Sequence, residues 1–257
     1  MSARAPDFAR TRGELTAEAF AHVESLERGF AERTRCDIGD NGPDRGAHVD
    51  FDVALAGGGL SLVYAAYLAR AGVKVVVFDR RRIGRGHREW NISRAELAPL
   101  VDSRLFTRAE VDALVPLEYD HGIVRWHGGG TYPVKRVLDC VVDAERLLEA
   151  LRERAAAAGA VLLDGHALAG YRAGAGGVAV TLAPNASAST PTTTLSARLL
   201  VDGMGAASPH ARFDLVCPTV GGVLHGLAVG SRSDEVDPRV GEILATTEGI
   251  EDDAQHI

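Results

Sequence analysis

The chain has 257 residues, 46% of them hydrophobic and 25% charged, with 28 Lys and Arg against 35 Asp and Glu. The net charge of −7 excludes a general nucleic-acid surface, because phosphate backbones are bound by clustered Lys and Arg. No run approaches the roughly 20 apolar residues of a membrane-spanning helix, so no integral membrane segment is expected. Cys36, Cys140 and Cys217 lie far apart and form no ligand pair or redox dithiol, so no metal site is expected.

Residues 1–49 read as an N-terminal extension. Phe20, Val23, Leu26 and Phe30 recur at helical spacing, which predicts an amphipathic helix over Thr16 to Ala31. Asp40 to Gly46, DNGPDRG, is turn chemistry and reads as a linker into a domain spanning 50–257. The first residues lack the apolar core of a secretory signal, which points to the cytoplasm. Their Arg and Ala content raises a plastid or other organelle as the alternative, and Asp7, Glu14 and Glu18 count against it.

The rest of the chain is organised around Phe51 to Asp79, FDVALAGGGLSLVYAAYLARAGVKVVVFD. Val53 to Ala56 is a short unalternating apolar run, as suits a parallel strand buried on both faces. Gly57, Gly58 and Gly59 let the backbone turn sharply and approach a ligand. Leu60 opens a helical stretch that runs to Ala71, with Gly72 as its stop. Val73 to Phe78 supplies a second buried strand, and Asp79 falls where a carboxylate accepts hydrogen bonds from the ribose hydroxyls of an adenosine. This is the dinucleotide-binding pattern, in which helix N-terminal amides hold a pyrophosphate. The usual third glycine is Leu62, so either the helix rides higher or Ser61 takes the small-residue role.

Six arginines occur next, in RRRIGRGHREWNISRAEL. They read as a solvated face, as neutralisers of cofactor phosphates, or as receptors for a 2′-phosphate, which Asp79 would repel. Arg80 follows the acid directly and is placed nearest the adenosine. Ser93 with Glu96 and Thr107 with Glu110 have capping-box spacing and predict two short helices. Ile123 to Trp126 and Val137 to Val142 read as strands. His121 and His127 have no partners at catalytic or ligand spacing. Asp143 caps a helix over AERLLEALRERAAAAG, with Leu147, Leu148 and Leu151 on one face and Gly159 as its stop. Val161 to Leu163 is a strand, and AGAGG turns a hairpin between Tyr171 and Val178 to Leu182. Pro184 to Thr194 is an exposed connection. Leu195 to Val201 is a strand that delivers Asp202 and Gly203, a second acid beside a close backbone approach.

GGGLSL at Gly57 to Leu62, Asp79, REWNIS at Arg88 to Ser93, VDGMGAASP at Val201 to Pro209 and VCPTVGG at Val216 to Gly222 together carry a resemblance. From about Asp50 onward the chain resembles the FAD-dependent oxidoreductases of the lycopene cyclase-like branch, within the wider aromatic-hydroxylase-type flavoprotein superfamily. The resemblance implies an α/β, Rossmann-like FAD-binding fold with a central parallel sheet, flanking helices and an added antiparallel β element. It implies FAD as cofactor, with Gly57, Gly58, Gly59 and Leu60 at the pyrophosphate, Asp79 and Arg80 at the adenosine, and Asp202 and Gly203 near the diphosphate and ribose. Arg88 and Asn91 are expected on a loop that reaches the cofactor. Ser208 stands two residues late for the compact D-G-x-x-S form. Members of the branch continue past this length, so the chain is expected to be truncated and to lack the distal substrate-domain portion.

The function expected is that of an FAD-binding oxidoreductase acting on an unidentified hydrophobic small molecule, with no catalytic residue assigned. The alternatives are a non-redox flavin-dependent cyclase and a truncated nucleotide-binding module without turnover; an NAD(P) enzyme also stays open.

Overall fold

The computed structural model describes residues 17, 36–86, 90–184, 192–212, 226–230, 232, 235–245, 251–252 and 255–256. The expected helix over Thr16 to Ala31 lies outside them, except for Ala17, as do VCPTVGG and Arg88.

The first strands in chain order are β1 (Asp37–Asp40), β2 (Phe51–Ala56) and β3 (Val75–Asp79), with α1 (Leu62–Arg70) crossing between β2 and β3. β4 (Trp90–Ile92), α2 (Ala98–Asp102), α3 (Arg108–Ala113), β5 (Leu117–Glu118), β6 (His121–Trp126), β7 (Thr131–Val134) and β8 (Cys140–Val142) come next. The rest of the domain comprises α4 (Ala144–Ala157), β9 (Val161–Asp164), β10 (His166–Gly174), β11 (Gly177–Pro184), β12 (Thr193–Asp202) and β13 (Val240–Ala245). The main sheet has seven strands in the order β1-β10-β11-β12-β2-β3-β9. β12, β2, β3 and β9 run parallel, while β10, β11 and β12 pair antiparallel. This is the Rossmann-like α/β fold with an added antiparallel element that the sequence predicts.

The unalternating strands result from burial on both faces. Leu55, Val75 and Val77 point into a core shared with Leu62, Ala65, Ala66 and Ala69 of α1 and Leu147, Leu148, Leu151 and Ala155 of α4. Ala54, Ala56, Val76 and Phe78 point the other way, into a second core with Leu168, Val178, Val180, Leu182, Leu195 and Ala197. β10, which follows β9 directly, also contacts β3. The strands that hold the nucleotide-type motif are thus fixed from both sides.

Helix ends obey local chemistry. Gly72, at φ +86°, ends α1: its amide donates to Ala69, and that of Val73 to Leu68, the paired bonds of a left-handed C-terminal cap. Gly159 ends α4 in the same way, with Ala160 bonded back to Ala155. The Asp143 carboxylate accepts the Arg146 amide at 3.0 Å and starts α4. Thr107 and Glu110 form the expected capping box at α3. The Ser93 amide donates to Glu96 at 2.9 Å, at the start of a single 3₁₀ turn that leads into α2.

Two features lie beyond the sequence expectations. Asp37–Asp40, assigned from sequence to the extension, is an edge strand parallel to β10, and Gly42 continues the contact through its amide to Ala173. β13 pairs with β6, and β6 with β7, in a separate three-stranded sheet. Val124, Tyr132 and Ile243 share one register row of it, so one face is apolar, with Tyr132 and Ile243 exposed.

Candidate nucleotide site

Ala56 pairs with Phe78 on one side and Asp202 on the other. The next row beyond the carboxyl ends of these strands therefore brings together Gly57, Asp79 and Gly203, the position at which open α/β sheets bind ligands. The three glycines of the turn then separate by role. Gly57 has φ +101°, and a Cβ there would lie 2.6 Å from the Gly203 carbonyl oxygen. A Cβ on Gly58 would lie 2.8 Å from Ile83 Cγ1 and 2.9 Å from its Cα. A Cβ on Gly59 would meet nothing within 4 Å. Gly57 and Gly58 are explained by the protein's own packing, and Gly59 faces open space.

Ser61 resolves the missing third glycine. Its hydroxyl donates to the Gly57 carbonyl, and a Cβ on Gly203 would sit 3.1 Å from Ser61 Cβ. The small residue needed at this close approach is Ser61, while Leu62 is fully buried in the helix-side core.

The amides of the turn are divided between fold and surface. That of Gly57 donates to Phe78 at 2.9 Å, and those of Leu62 and Val63 go to Gly59 and Leu60. The Gly58 amide donates to Asp79 Oδ2 at 2.8 Å. Among the described residues, no group accepts from the amides of Gly59, Leu60 or Ser61. These three N–H groups stand at the positive end of the α1 dipole, an arrangement that favours an anion.

Asp79 holds the turn as well as facing the cavity. Its second oxygen accepts the Arg81 amide at 2.8 Å, and the remaining acceptor capacity of a carboxylate stays available for hydroxyl groups. The cavity encloses about 860 Å³ and is lined by Gly57, Gly58, Gly59, Asp79, Gly203 and Arg80, with Arg81, Arg82 and Arg85 alongside. Four arginines against Asp79 and Glu145 leave it cationic. Arg82 pairs with Glu149 at 2.7 Å and Arg85 with Glu145 at 4.0 Å, all partly exposed. Cys36 also lines it, and burial, with Asp37 and Asp202 nearby, raises its thiol above the ordinary value.

A clamp that sequence reasoning missed fixes the arginine loop. Arg152 makes two bonds of 2.8 Å to Asp164 and one of 2.9 Å to the Ile83 carbonyl, while Asp164 accepts the Ile83 amide at 2.7 Å. The Gly84 amide returns to Gly58 at 2.9 Å. The Arg152 bonds hold the Asp164 carboxyl below its ordinary value. The partners lie 69 and 81 residues from Ile83, so no local signal marks them.

The structure brings Gly57, Gly58, Gly59, Asp79, Arg80 and Gly203 to one cavity. Leu60 is 58% exposed on the turn outside it. Asp202 faces a neighbouring cavity, where it accepts the Ser208 hydroxyl and the Met204 amide. Asn91 pairs with Val141 in β4 and lines a separate small cleft with Tyr119 and Val134. Among the described residues no cluster could hold a metal ion, and no helix is long and apolar enough to cross a membrane.

No family model matches the chain, and no curated protein matches it. Among solved structures it is similar to the myxobacterial chondrochloren halogenase CndH, described as a variant of FAD-dependent halogenases, at 17% identity and a TM-score of 0.48, over 59% of this chain and 36% of that one. AlpK gives 22% identity and a TM-score of 0.48, over 61% and 32% of the two chains. Aklavinone-11 hydroxylase, solved with FAD and aklavinone, gives 21% identity and a TM-score of 0.47, over 60% and 32%. The chain spans about a third of the length of these proteins.

Proposed function

We propose that the chain is an FAD-binding oxidoreductase of the lycopene cyclase-like kind, acting on a hydrophobic small molecule. The observation that carries this is the anion site: three amides at the N-terminus of α1 with no acceptor among the described residues, over a glycine whose missing side chain the protein's own packing does not require. A pyrophosphate satisfies both conditions, since it needs N–H donors and close backbone approach. Asp79 supplies acceptors for an adenosine ribose, and Arg80 to Arg82 supply charge beside it. Gly203, bonded to Ala56 at 2.8 Å, brings a second strand end to the same cavity, as a site for FAD would have. The sequence resemblance at VDGMGAASP supports the same choice.

When bound, FAD supplies the electron chemistry; the chain's residues supply grip, orientation and charge. The Gly59 amide at the cavity, with those of Leu60 and Ser61 at its edge, would hold the diphosphate, Asp79 would orient the adenosine, and the Arg152–Asp164 clamp keeps the arginine loop in place.

Cofactor identification tests this. Purified protein is expected to be yellow and to release FAD on denaturation, and apoprotein is expected to bind FAD more tightly than NAD or NADP. Preferential NAD(P) binding would replace the flavin assignment. Failure to bind any dinucleotide after reconstitution would overturn it.

A further inference from the structure

A second cavity of about 550 Å³ adjoins the first and shares Leu168 and Pro209 with it. Its walls come from β10, the β10–β11 turn, the end of β12 and the segment at Pro209–His210. Leu168, Val178 and Leu200 give it an apolar floor. Tyr171 and His210, 39 residues apart, meet on its wall, with the phenol oxygen 2.9 Å from His210 Nε2 and the rings tilted by 52°. The placement of His210 is built into the fold. Its amide donates to Ser208 Oγ at 3.0 Å, and Ser208, itself buried, donates to Asp202.

The charged side chains of the cavity wall already have partners within the fold. Arg198 pairs with Asp52 at 3.1 Å, and Asp202 accepts from Ser208 and Met204. What remains is a hydroxyl–imidazole pair that, in either tautomer of His210, has one donor and one acceptor beyond its internal bond. Burial, with Cys36 and Asp202 nearby, raises the Tyr171 phenol above its ordinary value and keeps it a neutral hydroxyl. Apolar walls with one oriented polar group are the usual composition of a small-molecule site. The contrast with the four arginines of the first cavity separates the two ligand chemistries.

We propose that this second cavity binds a neutral, largely apolar molecule with one hydroxyl or carbonyl oxygen, which docks on the Tyr171–His210 pair. It gives a place and a functional group to the hydrophobic small molecule of the proposed function. It does not require the cofactor, so the two assignments fail separately.

The test uses 2-naphthol, a neutral aromatic alcohol, titrated by calorimetry into the full chain with and without FAD. Saturable binding is expected in both conditions. Tyr171→Phe, which keeps the ring, is expected to weaken it about fivefold to tenfold, the loss of one hydrogen bond. Gly59→Val is expected to leave it unchanged, and naphthalene-2-sulfonate, the anionic counterpart, titrated with FAD in excess to occupy the cationic first cavity, is expected to bind more weakly. A chemical-shift change at the His210 ring on titration checks the location. Absence of saturable binding, equal affinity in Tyr171→Phe, a loss caused by Gly59→Val, or tighter binding of the sulfonate would each overturn the assignment.

Discussion

Substituting the three turn glycines separately distinguishes fold from ligand grip. In Gly57→Ala the new methyl would sit 2.6 Å from the Gly203 oxygen and 2.8 Å from its carbon, in a backbone at φ +101°. The neighbour cannot move away cheaply, because the Gly203 amide is bonded to Ala56 at 2.8 Å. Left-handed strain costs about 1–3 kcal/mol, and overpacking adds a further ~1–3 kcal/mol. The total, about 2–6 kcal/mol, is a large share of the roughly 5–15 kcal/mol that holds a native domain. Gly58→Ala meets Ile83 side-chain and backbone carbons at 2.8 and 2.9 Å, and falls in the overpacking range alone.

Gly59→Val meets nothing within 4 Å at Cβ and should change stability by no more than about 0.5 kcal/mol, as for an unconstrained surface site. Its side chain fills the space over the anion-site amides, so FAD affinity should fall at least about 100-fold, or roughly 2.7 kcal/mol. Urea denaturation measures the first quantity, and fluorescence titration of apoprotein with FAD the second. A Gly59→Val protein that is stable and binds FAD within threefold of wild type would refute the anion site. A Gly57→Ala protein of unchanged stability would refute the packing account of the turn.

Other expected outcomes rest on single contacts. Asp79→Ala removes the acceptor for the Gly58 and Arg81 amides and should cost about 1–3 kcal/mol of FAD affinity, with some loss of stability, by the same two assays. Asp143→Ala deletes the α4 cap and should lower unfolding free energy by about 1 kcal/mol in urea. The Asp164 carboxyl is held low in the fold by Arg152, so its contribution is fully present above the unfolded value of about 3.9 and is lost as pH falls through the lower folded value. The stability gap between wild type and Asp164→Asn should therefore be constant near neutrality and shrink below about pH 4; a gap that widens on acidification would contradict this.

The elements legible in the sequence are those with a local cause. The buried runs of β2 and β3, the αL stops at Gly72 and Gly159, and the Asp143 and Thr107 caps each depend on residues within a few positions of one another. β1 is not legible, because DIGD is short, polar and exposed and is a strand only through its pairing with β10. β13, VGEILA, has no alternating pattern, and its strand pairing comes from a partner 119 positions earlier. For the site, spacing locates the glycines and Asp79 but cannot rank them. Ranking requires the positions of Gly203 and Ile83, which come from distant parts of the chain. Asn91 shows the limit from the other side: its motif neighbours suggest a cofactor loop, while pairing with β8 carries it to another cleft.

The arrangement also explains why the arginine run follows the acid so closely. A flexible cationic loop would lose rotamer and backbone entropy on every binding event. Here that cost falls on folding, because Ile83 is buried against Gly58 and its backbone is bonded at both ends by the Arg152–Asp164 pair. The same contact that forbids a side chain at Gly58 therefore sets Arg80 to Arg82 at the cavity wall. In the proposed site a glycine motif sets where an anion would bind, and a long-range clamp fixes the charge beside it. This separation predicts that damage to the clamp weakens ligand affinity with the turn intact, whereas damage at Gly57 takes both.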